Sequence, residues 1–232
     1  MISLISREQV LQCQPLASYI AMLQADLLDD ELEFANSEVQ KENIKKFYDA
    51  AIYQQPNVVS NIRESIFYHP EDDLSLYPSL LSNALCRLFD YEHITRFYVI
   101  SHVKGSLIGS GNDVYAPVQT ARQRLQQVAG IEEYNQAYEV DTISIGHMIQ
   151  DLFWIIRCDA SIPRHIFLYP DHAGYFMSLC KYGNLHFFLF DKDKHTLFDE
   201  LQTFGLKEWT GKEFDRFSDS GVIEGRFTAP EE

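Results

Sequence analysis

Three apolar runs in residues 164–193 are separated by two groups of turn-forming residues, 170–174 and Gly183-Asn184. Gly followed by Asn suits the two central positions of a tight hairpin turn. Pro, Asp and Gly in residues 170–174 favour a longer turn. The pattern therefore predicts an antiparallel three-stranded meander.

The turn positions fix which side chains share a face of this meander, because side chains alternate along a strand. A two-residue turn at Gly183-Asn184 pairs Cys180 with Phe187 and places Cys180 and His186 on opposite faces. The other turn places His165 opposite Ser178, on the same face as Cys180. Both faces are largely apolar, so we expect either helices on both faces or a partner-binding surface on one.

Outside the meander, apolar residues recur mainly at helical spacing. The pattern predicts a strand over 96–103, and residues 146–158 fit either a helix or a strand, with the apolar stripe favouring a helix. Capping boxes begin at Ser6 and Ser37. The acidic run 29–33 is expected to end or bend a helix, because carboxylates are unfavourable at a helix C-terminus. Helices are predicted over 15–28, 37–55, 57–68, 78–91, 117–129 and 194–204, with another turn or two over 131–138 and a short strand over 222–227.

These elements predict an α+β fold in which helices pack on an antiparallel sheet of about four strands, including the meander 164–193. Residues 1–92 contain only predicted helices and form an N-terminal helical lobe, whereas residues 93–232 form an α+β lobe. The sequence shows no repeat and no linker between the lobes. We therefore expect one continuous globular unit.

Charge limits the partners that the protein can bind. The chain carries 34 acidic and 19 basic residues, a net charge of −15, and residues 1–92 hold 15 acidic against 6 basic residues. Nucleic acids and anionic membranes require basic surface, so neither is expected as a partner. A basic protein partner is compatible with the charge. Candidate docking residues lie in two acidic runs: Asp29, Asp30, Glu31, Glu33, Glu71, Asp72 and Asp73.

The four cysteines, Cys13, Cys86, Cys158 and Cys180, are widely spaced and form no Cys-x-x-Cys pair. This spacing favours reduced thiols over disulfides or a zinc knuckle. The N-terminus lacks a signal-peptide pattern, and no apolar run is long enough to span a bilayer. We expect a soluble, cytoplasmic protein.

Phosphate and metal motifs are incomplete. The loop around Gly109-Ser110-Gly111 lies between a strand and a helix but lacks the Lys of a phosphate loop and the third Gly of a dinucleotide loop. His165, His172, His186 and His195 have no metal-ligand spacing. The sequence therefore predicts no metal site and no cofactor.

Cys180 and His186 invite a nucleophile–base interpretation, but the predicted turn separates them. His165, Cys180 and Ser178 form the alternative catalytic set, because they share one face. A thiol among aromatic neighbours is more often a core residue than a nucleophile. We therefore expect Cys180 to be a buried structural thiol.

The acidic charge and the lack of a complete catalytic motif favour a non-enzymatic binding protein. Its most concrete form is an inhibitor or immunity protein of bacterial type that neutralises a basic toxin or enzyme. Two alternatives remain open: a small hydrolase or transferase dependent on cysteine and histidine, and a structural subunit of a larger assembly. The oligomeric state is not determined by the sequence.

Overall fold

A computed structural model describes residues 1–49, 62–109, 115–129, 136–191, 193–220, 223 and 226. This part of the chain forms one eight-stranded sheet with helices on both faces. The strands are β1 (Ile2–Ile5), β2 (Arg63–Tyr68), β3 (Arg96–Ser101), β4 (Ala137–Asp141), β5 (Ile166–Pro170), β6 (Tyr175–Leu179), β7 (Leu185–Leu189) and β8 (Lys207–Glu208). The helices are α1 (Arg7–Val10), α2 (Gln14–Phe34), α3 (Glu38–Lys45), α4 (Tyr77–Tyr91), α5 (Ala116–Ala129), α6 (Thr142–Cys158) and α7 (Lys194–Thr203).

All neighbouring strands run antiparallel, in the order β1-β4-β3-β5-β6-β7-β2-β8. The α+β class is thus confirmed, but about four strands was too few. The N-terminal 92 residues are not all helical, because β1 pairs with β4 and β2 pairs with both β7 and β8. The sheet therefore draws strands from both sides of residue 92.

Helices cover both faces of the meander, which is one of the two arrangements that its apolar faces predicted. The larger core lies under α4, α5, α6 and α7, and includes Met177 and Phe187. The smaller core lies under α1 and α2, and includes Phe167, Phe176 and Phe188. Both faces of the central strands are thus buried, which explains why their sequences lack the apolar–polar alternation of a half-exposed sheet.

The β6–β7 hairpin differs from the predicted register. Leu179 pairs with Leu185 and Ser178 with His186, so that five residues connect the strands. The amide of Gly183 donates to the carbonyl of Cys180 (2.9 Å), and Gly183 has φ +83°. The amide of Cys180 donates to the carbonyl of Asn184 at 2.9 Å, so that only residues 181–183 form the loop itself. Gly183 is therefore the left-handed residue that ends a three-residue loop, and not the first residue of a two-residue turn. The pairing shifts by three positions, an odd number, and this exchanges the faces of β7.

As a consequence, the predicted separation of Cys180 and His186 is wrong. Cys180 comes directly after β6 and continues the alternation of Phe176 and Ser178, and Ser178 lies opposite His186. Cys180 and His186 therefore share the face that α2 covers. The β5–β6 pairing, Phe167 with Ser178, shifts by two positions from the predicted one, so His165 keeps its predicted face.

Most of the strongly patterned elements are confirmed: α4, α5, α6, α7, β3 and the capping box at Ser6. Residues 146–158 are helical, as their apolar stripe favours. The acidic run 29–33 does not end α2, which continues to Phe34. Residues 63–68 form β2 where a helix was predicted, and 137–138 begin β4. The predicted segment 222–227 falls largely outside the described residues.

Candidate functional site

A cleft of about 650 Å³ opens at the end of the sheet where β5 begins, β6 ends and β7 begins. Its walls come from these strands, from the residues after α6, from Tyr19 of α2, and from Glu213. At this end of the sheet the apolar core ends and polar side chains line the cleft, where a small molecule could reach these polar groups. The polar groups at its centre are Cys180, His186 and Glu213.

The ligand atoms of Cys180, His186 and Glu213 all lie within 4.8 Å of one another. The Cys180 thiol donates to Oε1 of Glu213 at 3.3 Å, and Nε2 of His186 lies 3.3 Å from the same oxygen. Within the described part of the chain, this enclosed Nε2 makes no hydrogen bond. A thiol, an imidazole nitrogen and a carboxylate oxygen therefore converge on one point.

Two further side chains orient this cluster. Nδ1 of His186 lies 2.7 Å from Oε1 of Glu64, and Nδ2 of Asn184 donates to Oε1 of Glu213 at 2.7 Å. A carboxylate can only accept, so Nδ1 carries the proton and donates it to Glu64. The imidazole is therefore fixed with Nε2 towards Cys180 and Glu213. Asn184 is buried in the hairpin loop, which gives Glu213 a rigid neighbour.

The cluster is electrostatically perturbed. Burial alone would lower the pKa of His186, but its close contacts with Cys180, Glu213 and Glu64 outweigh burial and raise the pKa to about 11. Burial would also raise the pKa of Glu213, yet His186, Asn184 and Cys180 hold it down to about 2. The point at which the three side chains meet therefore favours a positive charge strongly. Perturbed groups of this kind are concentrated at functional sites.

The predicted catalytic set lines this same cleft. His165 precedes β5, Ser178 lies on β6, and Cys180 follows β6, all on the cleft. Cys180 is only partly buried, which contradicts the prediction of a buried thiol. The structure places His186 beside these residues, whereas the predicted register had placed it on the opposite face.

Sequence reasoning missed Glu64 and Glu213. Glu64 lies on β2, in a segment with a helix-like pattern, and reaches His186 because β2 pairs with β7. Glu213 lies in a loop-like stretch after β8, with no neighbouring motif. Neither position carries a local signal, so only the strand pairing and the path of the C-terminal segment could reveal them.

The segment that carries Glu213 is anchored by a buried ion pair. The guanidinium of Arg157, in the last turn of α6, donates to Oδ1 of Asp215 at 2.8 Å and to Oδ2 at 2.9 Å. Side-chain exposure is 3% for Arg157 and 0% for Asp215. Arg157 also lies over the ring of Phe217, 5.0 Å from its centroid. These contacts hold Glu213 against the hairpin.

The acidic docking candidates lie in two different settings. Asp29, Asp30, Glu31 and Glu33 are exposed on the last turns of α2, next to Phe34, whose exposure is 77%. Asp72 and Asp73 are exposed and Glu71 is partly exposed in the loop after β2. Asp73 accepts hydrogen bonds from the amide and hydroxyl of Ser75, so this carboxylate has a local structural role.

Comparisons of the sequence and the structure with known proteins match no family model, no curated protein and no solved structure. The chemistry of the cleft is therefore inferred from the residues themselves. Among the described helices, none has both the length and the apolar composition needed to cross a bilayer.

Proposed function

We propose that the cleft is an active site and that the protein is a hydrolase or transferase in which Cys180 and His186 act together. One observation carries this proposal: the reactive atoms of Cys180, His186 and Glu213 lie within 4.8 Å of one another at a cleft of about 650 Å³. The argument from the sequence against an enzyme placed Cys180 and His186 on opposite faces. The observed register removes that argument.

The roles of the side chains follow from their contacts. Glu64 holds the imidazole of His186 by its Nδ1 proton, at 2.7 Å, which directs Nε2 towards the reacting groups. With its pKa raised to about 11, this imidazole is protonated at neutral pH and can donate a proton to a bound substrate or leaving group. Thiol, imidazole and carboxylate groups together suit acyl transfer and hydrolysis. A reducing cytoplasmic location, which we retain as part of the proposal, keeps Cys180 from forming a disulfide.

Hydrolysis of a panel of chromogenic carboxylic and phosphoric esters tests the enzyme. We expect Cys180→Ala and His186→Asn each to lower kcat/KM for the best substrate by at least ~100-fold, the usual contribution of proton transfer. Cys86→Ala is the matched control, because Cys86 is also half-buried but lies on α4, away from the cleft. Turnover of no ester, or full activity in the Cys180→Ala protein, would overturn the proposal.

A second candidate is an acidic binding protein, and the surface around the C-terminus of α2 favours it. Two large apolar side chains, Phe34 and Val39, are 77% and 73% exposed there. They lie close in sequence to the four carboxylates of residues 29–33. Exposed apolar residues rimmed by charge are typical of interaction sites, and the charge selects a basic partner.

The most concrete form of this second candidate remains an inhibitor or immunity protein for a basic toxin or enzyme. Affinity capture from the native host tests it when wild type is compared with two variants. We expect the wild-type protein to capture a basic protein. The Ile143→Ala variant, which is changed at an exposed residue of α6, should still capture it, and the Phe34→Ala variant should not. A captured protein that is acidic, or that both variants retain equally, counts against docking at α2.

A further inference from the structure

We propose that Cys180, His186 and Glu213 bind a zinc ion through Sγ, Nε2 and Oε1. The inference assigns a metal to the enzyme proposed above and rests on that proposal only for the metal's role, because binding can be measured without any substrate. It is carried by the distances in the cluster, by the chemistry of the three ligand atoms and by the groups that orient them.

Two of the three distances between the ligand atoms match those between neighbouring ligands of one ion, and all three are within 4.8 Å. Oε1 of Glu213 lies 3.3 Å from Sγ of Cys180 and 3.3 Å from Nε2 of His186. Metal–ligand bonds of about 2.0–2.3 Å in a tetrahedron place neighbouring ligand atoms roughly 3.3–3.7 Å apart. Small side-chain movements would therefore bring all three atoms to bonding distance.

A zinc ion would also balance the charges of its own ligands. Cysteine binds zinc as a thiolate and histidine binds it as a neutral imidazole, so binding releases protons. A dication between the thiolate and the carboxylate of Glu213 offsets the repulsion that the two anions would otherwise have.

The neighbours of the three ligands are those that metal sites require. A histidine that binds zinc through one nitrogen usually donates the other N–H to a carboxylate, which fixes the ring. Glu64 accepts such a bond from Nδ1 of His186 at 2.7 Å. Asn184 donates to the ligating oxygen of Glu213 at 2.7 Å and holds the carboxylate in place.

The ligand set selects the type of metal and of site. Thiolate and imidazole favour zinc, whereas magnesium and calcium favour oxygen ligands alone. Three protein ligands at an open cleft leave the fourth position for water or substrate, as in catalytic zinc sites. The metal would supply Lewis-acid activation of an oxygen in the cleft. Cys180 would then be a ligand of the metal.

The test is zinc titration of the chelator-stripped full-length protein in competition with a chromogenic chelator. We expect one equivalent of zinc, and at least ~100-fold weaker binding for Cys180→Ser, His186→Ala and Glu213→Gln. Glu64→Gln should weaken binding by about 10–100-fold, the usual effect of a residue that orients a ligand. Cys86→Ala and Glu71→Gln, which lie outside the cluster, should bind as wild type does.

Cobalt(II) provides an independent spectroscopic measurement. In the wild-type protein we expect a sulfur-to-cobalt charge-transfer band, which Cys180→Ser removes and Cys86→Ala retains. Circular dichroism of each variant separates loss of binding from loss of fold. Absence of stoichiometric zinc binding, or binding that survives in folded Cys180→Ser and His186→Ala proteins, would overturn the inference.

The two proposals fail in distinguishable ways. If the protein binds no zinc but loses esterase activity in the Cys180→Ala variant, the enzyme proposal stands and the metal inference is wrong. If the protein binds one zinc through these residues but turns over no ester, the metal site stands and the enzyme proposal is wrong.

Discussion

His102 is buried where β3 meets the start of β5, with an exposure of 4%. Its backbone amide donates to the carbonyl of His165 at 2.9 Å, and its ring Nδ1 lies 3.3 Å from the amide nitrogen and 3.1 Å from the carbonyl oxygen of His165. In the neutral imidazole with its proton on Nε2, Nδ1 accepts from that amide. Burial lowers the pKa of His102 to about 4, with further lowering by the nearby His165 side chain. The folded protein therefore holds this imidazole neutral, while an unfolded chain would protonate it near pH 6.5.

This difference predicts a specific acid sensitivity. The pKa of His102 is lower in the folded state, so its contribution to stability is present above pH 6.5 and is lost as pH falls to about 4. The total loss is ~3 kcal/mol. Substitution His102→Asn keeps an acceptor for the amide of His165 but does not titrate. Its free energy of unfolding should thus depend less on pH between 6.5 and 4 than that of wild type.

Urea denaturation at several pH values provides the measurement, and His93→Asn is the control. His93 is exposed and has φ +57°, a conformation that Asn tolerates well. We expect the wild-type pH dependence in this control. Equal pH dependence in wild type and His102→Asn would show that His102 does not stay neutral in the folded protein.

The C-terminal segment after β8 packs against α6 and carries Glu213 to the cleft. Its described residues 209–220 form no strand or helix, yet Asp215 is fully buried against Arg157 of α6. Trp209 contacts Tyr68 edge-on, and the guanidinium of Arg216 lies 4.5 Å from the ring centroid of Tyr77. Side-chain contacts therefore position Glu213 in the absence of a strand or helix.

The buried Arg157–Asp215 ion pair leads to a prediction about the free energy of unfolding. Asp215→Ala leaves the buried Arg157 without its partner, and we expect it to lower the free energy of unfolding by about 3–5 kcal/mol. Asp171→Ala is the matched control, because it breaks the Arg96–Asp171 pair, in which Arg96 is 48% exposed. That change should cost about 1 kcal/mol or less. Similar losses in the two variants, measured by denaturant unfolding, would contradict the anchoring role.

At the scale of the whole molecule, the sheet joins the two halves of the sequence. β2 lies between β7 and β8, β1 pairs with β4, and α4 packs against α6 in the larger core. Removal of residues 1–92 would expose both edges of the remaining sheet and the surface of α6 that α4 covers. The buried apolar contacts are thus shared across residue 92.

We therefore expect a fragment of residues 93–232 to lack a stable fold. Its near-ultraviolet circular dichroism should be weak and its amide NMR signals poorly dispersed. Addition of a separately produced 1–92 fragment should restore dispersion if the two halves can associate. A well-dispersed spectrum of 93–232 alone would show that residues 93–232 carry an independent core.

The elements that the sequence determined by itself are those with a local cause. The apolar stripe at helical spacing gave α4 and α6, because 3.6-residue periodicity buries one side of a helix. The two largely apolar faces of 164–193 predicted either helices on both faces or a partner-binding surface on one, and the structure has helices on both. Charge and cysteine spacing gave expectations about the partner and the redox environment from composition alone, and these remain predictions.

The tertiary structure alone decided the site. The difference between a two-residue and a three-residue loop at Gly183 depends on backbone conformation, and it determines whether Cys180 and His186 share a face. Residues 63–68 fit a helical period but form β2, because pairing with β7 outweighs local preference. Glu64 and Glu213 reach His186 through strand pairing and through the buried Arg157–Asp215 contact, and no spacing along the chain encodes either one.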